Sequence, residues 1–574
     1  MDQVATDEVA SVAEGMLDLF VERGVEYIFG NAGTDFPPLI EAIARAQQLG
    51  RPVPQPVVVP HENVAMAMAH GNYMVTGRLQ AVMVHVGLGT ANALNGIYNA
   101  ARLNIPILLA AGRTPITESG VFGGRNNYIN WAQEMFDQAG MLRELVKWEY
   151  ELRHPAQLEA VIDRAMAVAQ SSPPGPVYLT LPREVLAATR AKATTPASPM
   201  MMPATKPEPC SEAVGRLADL IMTARKPVIV TSAAGHSEDL WSALAHVAER
   251  FAIPVVQYRP RYMALPTGHP MHCGYNPTPF VRQADLVIVL ESDVPWIPDE
   301  VGPIAATVVQ VGLDPLFQRY PMRSFAADLT IMSDAATLLE RLLETLSDET
   351  EDTVLIRARR LEIAQQRRSY GVSSQFAEAR APATMTPRWV TACINAVKDE
   401  DTILINEYPF VLEELTIDRP GTFFAHSPAG GLGWAMGAAL GAKLGRPSAT
   451  VIAGIGDGTY MFGNPTPTHM VSRALGLPVL FVIFNNRRWG AVHRATLSMY
   501  PHGYAAHEDE PPFATLEPSP DYEQIVMASG GYGERVDDPA ELPAALRRAL
   551  HAVREEGRQA VINVICEAVY ARTS

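Results

Sequence analysis

Two short stretches carry residues of the types that bind a phosphorylated ligand through a divalent cation. Gly456-Asp457-Gly458 follows an apolar, β-branched run at 449–455, and Asn485-Asn486 closes a second such run at 478–484. Each run reads as a buried parallel strand, and the segment between them reads as helical. In a strand–helix–strand unit both strands end at the same sheet edge, where open α/β sheets bind ligands. Asp457 and Asn486, 29 positions apart, are therefore expected to meet. A carboxylate, an amide oxygen and a backbone carbonyl are hard oxygen ligands suited to Mg²⁺, with phosphate oxygens completing an octahedron. The two glycines let the backbone turn sharply and approach a ligand closely.

A second set of candidates lies near the N-terminus. His61-Glu62 closes a strand read at 57–60 and opens a helix read at 63–74. Alone, Glu62 is no more than an acid in a first helical turn, favoured by the macrodipole. His85 ends another strand, 80–84, and faces the glycine-containing loop 86–90. An imidazole there can exchange protons near neutral pH, although a core histidine bonded to a carbonyl is the plain alternative. The turn Gly30-Asn31-Ala32-Gly33-Thr34 follows a short strand at 27–29.

The elements that must position these residues form three α/β units. Residues 1–186 alternate helix and strand, beginning with an amphipathic helix at 9–23. Residues 187–210 are rich in Ala, Thr, Pro and Met without periodicity and read as a linker. A second unit, 211–345, has strands at 227–230, 254–256, 286–290 and 308–311. A charged connector, 346–387, is helical over 355–368. The third unit, 388–574, carries the Asp457 motif. Such alternation predicts three consecutive doubly wound parallel sheets.

Composition limits the function classes. The chain has 574 residues, is 48% hydrophobic and 19% charged, and has a formal net charge of −16. That is a globular composition, and its negative balance disfavours nucleic acid and anionic membrane surfaces. No apolar run approaches a spanning helix, and the first eight residues lack a signal-peptide pattern. The four cysteines are widely spaced, so neither a disulfide framework nor a zinc site is indicated. These features predict a soluble cytoplasmic protein.

The glycine–aspartate–glycine motif followed at this interval by Asn485-Asn486 resembles the metal–diphosphate motif of thiamine diphosphate enzymes, and the chain is closest in motif to benzoylformate decarboxylases. About two residues more than in that pattern separate the two ends, placed at the turn-rich 463–467. The resemblance implies pyrimidine-binding, central and diphosphate-binding domains in that order. Glu62 would be the carboxylate on the pyrimidine nitrogen that makes the thiazolium ylid accessible. His85 would relay protons and Thr34 would orient the substrate carboxylate.

In the third unit, Ala429-Gly430-Gly431-Leu432-Gly433 resembles the loop that grips the pyrimidine. Leu432 would hold the cofactor bent, and the Gly430 carbonyl would accept from its amino group. Gly456, Gly458 and Thr459 would bind diphosphate. Asp457, Asn486 and the Arg488 carbonyl would hold Mg²⁺. The Gly- and Ala-rich 431–445 would be a helix packed closely against another backbone.

Departures from the family are informative. Asn406-Glu407-Tyr408-Pro409-Phe410 replaces a hydroxyl-rich segment, leaving Tyr408 among the cofactor contacts and the diphosphate dependent on Thr459 and backbone N–H groups. A pocket aromatic becomes His426, and the family's second active-site histidine has no match, with residues 292–296 in its place. Trp296, Phe410, Trp434, Arg113 and Val492 are candidate pocket residues.

The resemblance implies a non-oxidative decarboxylase of a 2-oxo acid, working through ylid and enamine intermediates. A carboligase or lyase resembling acetolactate synthase, benzaldehyde lyase or 2-hydroxyacyl-CoA lyase is the alternative. A non-catalytic cofactor-binding paralogue is a third reading, against which Glu62 speaks. Gly112-Arg113 and the absence of a flavin-type segment imply no FAD. Because the family's cofactor bridges the first domain of one subunit and the third of another, a homodimer at minimum, and a homotetramer by extension, is expected. The partner molecule is a small 2-oxo acid or aldehyde, and its identity is left open.

Overall fold

The computed structural model describes residues 9–191, 200–346, 353–369, 381–508 and 510–567. Three parallel sheets follow one another along the chain. The first has six strands in the spatial order Gln55–Val58, Tyr27–Gly30, Gln80–Val84, Ile107–Arg113, Val177–Pro182, Glu149–Glu151. The second has five, in the order Val255–Gln257, Pro227–Thr231, Leu286–Leu290, Thr307–Gly312, Leu329–Met332. The third repeats the six-strand pattern: Phe423–Ala425, Ile403–Glu407, Val451–Gly456, Leu480–Asn485, Ala560–Ile565, Tyr532–Val536. Their central strands are buried along their whole length. This is why they read as unbroken apolar runs and not as alternating ones.

Several boundaries differ from the sequence expectation. Val9–Ser11 is a strand, antiparallel to Thr189–Ala191, so the first three residues of the expected N-terminal helix, and three of the expected linker, pair with each other. The helix begins at Val12, because Ser11 and Glu14 form a reciprocal capping box. The connector helix, Val354–Ser369, is no free linker. Arg359 is buried and donates to the carbonyls of Phe251 and Ile221 at 2.8 and 2.6 Å, fixing the helix on the middle unit. The helical stretch after Asp457 is split into Asp457–Phe462 and Pro465–Leu475. Asn464, at φ 50°, turns the chain between them, and Pro465 starts the second helix, where its missing N–H costs nothing.

One seam joins the first and third units. The helix Glu62–Thr76 packs on Trp434–Gly445 so closely that a Cβ on Gly441 would lie 2.0 Å from the Met68 carbonyl oxygen. One on Gly71 would lie 2.1 Å from that of Ala438. Small residues permit the approach, as the Gly- and Ala-rich sequence predicts. Contacts advance in the same direction along both helices, from 437 against 64–68 to 445 against 72–76. Their N-termini, carrying Glu62 and the 430–433 loop, therefore lie at one end.

Candidate active site

At the edge of the third sheet three strand ends lie side by side. Glu407 is in register with Ile455, and Gly456 with Phe484, so Tyr408, Asp457 and Asn486 follow at adjacent positions. Asp457 is buried, and the nearby backbone N–H groups of Gly458, Arg487 and Arg488 favour its ionised form. Burial nevertheless pushes its carboxyl up to about 6. Its Oδ2 has no hydrogen-bond partner. An orphaned buried carboxylate oxygen is costly and fits a site for a cation. Asn486 folds back beside it, its Oδ1 accepting from Arg488 N at 3.1 Å, with Arg487 at φ 58° making the turn. Gly458 cannot bear a side chain: a Cβ would sit 2.2 Å from the Trp489 ring. Thr459 is buried in the short helix that begins at Asp457.

No cluster of three or more His, Cys, Asp or Glu suited to a metal exists among the described residues. The Asp457 set is of another kind, one carboxylate supplemented by amide and carbonyl oxygens, as Mg²⁺ accepts when phosphate completes its shell.

The first sheet presents the acid–base candidates at its own C-terminal edge. Glu62 is the first residue of its helix, buried, with His61 as N-cap. Asn31 Nδ2 donates to Glu62 Oε1 at 2.9 Å and Asn92 Nδ2 to Oε2 at 3.1 Å. The two bonds hold the carboxylate in place from both sides. His85 Nδ1 lies 2.6 Å from Asp35 Oδ1, and its Nε2 lies 3.2 Å from Gln133 Nε2. Asp35 is buried and also accepts from Val86 N at 3.2 Å. The hydrogen bond to Asp35 raises the His85 pKa above its ordinary 6.5, against burial, which lowers it. Thr34 is exposed, and its carbonyl is held by Arg183 at 2.9 Å.

The 430–433 loop is tied to the first unit by asparagines on the helix Val86–Arg102. Asn99 Nδ2 donates to Gly431 O at 2.8 Å and its Oδ1 accepts from Gly431 N at 3.1 Å. Asn95 Nδ2 donates at 3.1 Å both to Leu432 O and to Asn63 Oδ1. Asn92, Asn95 and Asn99 recur at helical spacing on one face. That pattern was readable in the sequence, as was Glu407, an acid ending an apolar run. Asp35 and Gln133 carried no local signal.

The expected pocket residues separate into two groups. Tyr408, at φ 83°, and His426 have ring centroids 3.8 Å apart, and Gly430 lies beside the Tyr408 hydroxyl. Burial pushes the His426 imidazole down to about 3, so it is a neutral wall. Val492 is exposed on the helix Gly490–Met499. Three aromatics leave the pocket. Trp296 lies in the core of the middle unit, edge-on to Phe325. Phe410 fills the space over Gly454, where a Cβ would come within 2.4 Å, and meets Phe484 edge-on. Trp434 is buried against His70 in the helix seam. In each case the apolar ring secures more burial in a core than at a site edge. Arg113 ends its strand but its charge is engaged by Glu134 and Glu151. A cavity of about 370 Å³ between the units is lined by Arg102, Arg261, Glu291 and Arg319; neither Glu62 nor Asp457 reaches it, so it is separate from this site.

Family models match in chain order: the thiamine pyrophosphate enzyme N-terminal TPP binding domain over residues 10–141, the central domain over 214–342 and the C-terminal TPP binding domain over 408–564. Acetolactate synthase isozyme 3 large subunit of Escherichia coli K12 is 25% identical over 95% of this chain and 93% of its own. Sulfoacetaldehyde acetyltransferase of Rhodobacter capsulatus is 26% identical, over 96% and 93%. Benzoylformate decarboxylase of Pseudomonas aeruginosa is 25% identical, over 95% and 97%. The crystal structure of benzoylformate decarboxylase from Polynucleobacter necessarius superposes with a TM-score of 0.80 at 21% identity, covering 98% of this chain and 99% of that one, a likeness of fold. Three models met in this order span most of the sequence, and the chain belongs to the thiamine pyrophosphate enzyme family.

Proposed function

We propose that this protein is a Mg²⁺-dependent, non-oxidative decarboxylase that converts a 2-oxo acid to an aldehyde and CO₂. When bound, thiamine diphosphate supplies the carbon nucleophile that takes up the substrate carbonyl and stores the electron pair left by departing CO₂. Asp457, Asn486 and the Arg488 carbonyl would hold Mg²⁺ and through it the diphosphate, aided by Thr459 and the N–H groups around Gly456 and Gly458. Leu432, Gly430 and Tyr408 would border the ring end. Glu62, fixed by Asn31 and Asn92, would hold a proton for the pyrimidine. Thr34 would orient the substrate carboxylate.

The observation that carries the decarboxylase reading is the Asp35–His85 pair. An imidazole held at Nδ1 by a buried carboxylate, at 2.6 Å, keeps its proton at higher pH and offers it from Nε2. A ready proton source beside the reacting carbon favours an aldehyde product over addition to a second carbonyl. The carboligase or acyl-transfer reading is supported by the acetolactate synthase and sulfoacetaldehyde acetyltransferase relatives, which match over as much of the chain at the same identity. The deciding experiment supplies the protein with thiamine diphosphate, Mg²⁺ and a panel of 2-oxo acids, with and without an acceptor aldehyde. CO₂ and aldehyde in equal amounts support the decarboxylase; acyloin or acyl transfer as the main product overturns it.

We further propose that the protein is a homodimer at least, and a homotetramer by extension. Support comes from the exposed aromatics Phe122, Tyr128 and Phe136 on one segment of the first unit. Large aromatic side chains exposed so close together in sequence are what a subunit interface would cover.

A further inference from the structure

A carboxylate outside the expected site residues governs the loop that carries Gly430 and Leu432. Glu407, the last residue of its strand, is fully buried. Its Oε1 accepts from Gly433 N at 2.7 Å and its Oε2 from Ala435 N at 2.6 Å. These are among the first N–H groups of the helix Trp434–Gly445, which have no partner within the helix. A side chain at the N-cap ordinarily satisfies one of them, but the N-cap here is Gly433, which has none. It cannot acquire one, because its φ is 85° and a Cβ would lie 2.3 Å from the Phe462 carbonyl oxygen. The cap is supplied instead by an acid 26 positions away.

The location of this cap matters for chemistry. Gly430 to Leu432 directly precede it, and their other anchors, Asn95 and Asn99, come from the first unit. Tyr408, the next residue after Glu407, adopts φ 83° beside Gly430. Both segments that border the ring end of the site thus leave from Glu407. Backbone strain of the Tyr408 kind persists only where the surroundings over-determine it, and a buried bidentate carboxylate one residue away does so. Burial pushes the Glu407 carboxyl up to about 8 while the two N–H bonds oppose this, so the group is held there at a cost that a plain packing residue would not incur.

We infer that Glu407 is a positioning residue for the pyrimidine end of the cofactor, fixing the backbone of residues 430–433 from the strand edge without touching the cofactor. The inference rests on the cofactor assignment and goes beyond it by separating the grip on the ring, set by Glu407, from the grip on the diphosphate, set by Asp457.

The test titrates the full-length protein and its Glu407→Gln variant with thiamine diphosphate and, separately, with inorganic pyrophosphate, both with Mg²⁺. Amide hydrogen exchange at Gly433 and Ala435 is followed in parallel. Glutamine keeps the volume but turns an NH₂ toward an N–H, so a charge-assisted bond is lost. The expected result is a Kd for thiamine diphosphate raised about tenfold or more, a pyrophosphate Kd unchanged within about twofold, and faster exchange at the two amides. An unchanged thiamine diphosphate Kd, or equal weakening of both ligands, overturns the inference. Should the glutamine variant not fold, Glu407→Asp, which keeps the charge and shortens its reach, is judged by the same comparison. A parent that binds neither ligand overturns the cofactor reading itself and the role of Glu407 with it, whereas a parent that binds both isolates the question to Glu407.

Discussion

Asp35 Oδ1 stands 2.6 Å from His85 Nδ1 across 50 positions of sequence, and glycines on both sides make room for the contact. A Cβ on Gly33 would lie 2.1 Å from His85 Nδ1, and one on Gly112 would lie 1.7 Å from Asp35 Oδ2. The pair is thus set by three separate strand ends, those near residues 30, 84 and 112, and not by local sequence. It fixes which imidazole nitrogen faces outward, the detail on which a proton-transfer role depends.

If His85 delivers a proton to the reacting carbon, His85→Ala lowers kcat by about 10²–10⁴-fold, the usual worth of general acid–base help. Asp35→Asn retains the ring but removes the charge that raises its pKa. Its pH–rate profile then loses activity at lower pH on the alkaline side than the parent's. The stability change has a defined sign. The folded imidazole holds its proton above the ordinary 6.5, so the pair's contribution is complete below that pH and is lost as pH rises through the raised value. Coincident pH profiles for parent and Asp35→Asn would return His85 to a structural role.

Glu62→Gln removes the carboxylate that Asn31 and Asn92 hold in place. Hydrogen exchange at C2 of bound thiamine diphosphate slows sharply, while the far-ultraviolet circular dichroism spectrum remains that of the parent. Exchange at the parental rate would remove Glu62 from the proton chemistry.

The three parallel sheets were legible because their central strands are buried on both faces and so read as continuous apolar runs. The Asp457–Asn486 convergence was legible for the same reason: consecutive parallel strands fix where their ends lie. What was not legible depended on long-range packing. Asp35 sits in a polar turn beside Thr34, and only the fold brings it under His85. Trp296, Phe410 and Trp434 look like pocket aromatics by neighbourhood, yet each faces a core, since sequence position near a site does not determine which side of the strand or helix a ring occupies. Thr189–Ala191 lies in an aperiodic stretch and becomes a strand only because Val9–Ser11 offers an edge.

The orphaned Asp457 Oδ2 predicts cation dependence. Thiamine diphosphate binds the parent tightly with Mg²⁺ and weakly in a chelator, and Asp457→Ala abolishes the difference. Full affinity of the parent in a chelator would show that Asp457 and Asn486 hold no metal.

The helix seam is intolerant of bulk. Gly441→Leu places side-chain atoms where the Met68 carbonyl stands 2.0 Å from the Cβ position. The expected cost is about 1–3 kcal/mol or more, the range for overpacking, read as a lowered Tm. Because the same helices begin at Glu62 and at Trp434, directly after the 430–433 loop, cofactor affinity falls as well. A variant with parental Tm would mean that the two helices separate more easily than their packing implies.

The last prediction concerns which chain completes a site. Glu62 belongs to the first unit and Asp457 to the third, and among the described residues the Glu62 carboxylate is held by Asn31 and Asn92 of its own unit. If each site takes its Glu62 from one subunit and its Asp457 from the other, an isologous dimer forms two identical sites from one self-complementary surface. The buried area then falls in the obligate class above about 2,000 Å². The competing arrangement closes each site within one chain, and the asparagine face of the helix Val86–Arg102, which links Asn63 to Leu432 through Asn95, gives it physical content. Mixing Glu62→Gln subunits with Asp457→Ala subunits separates the two. With shared sites, a mixed dimer has one site carrying both lesions and one carrying neither, so about half of mixed-dimer sites are active although each parent variant is inactive. With sites closed inside single chains, every site in the mixture carries one lesion and no activity returns. Sedimentation of the mixture, with one variant mass-tagged to establish subunit exchange, makes silence in the assay decisive against shared sites.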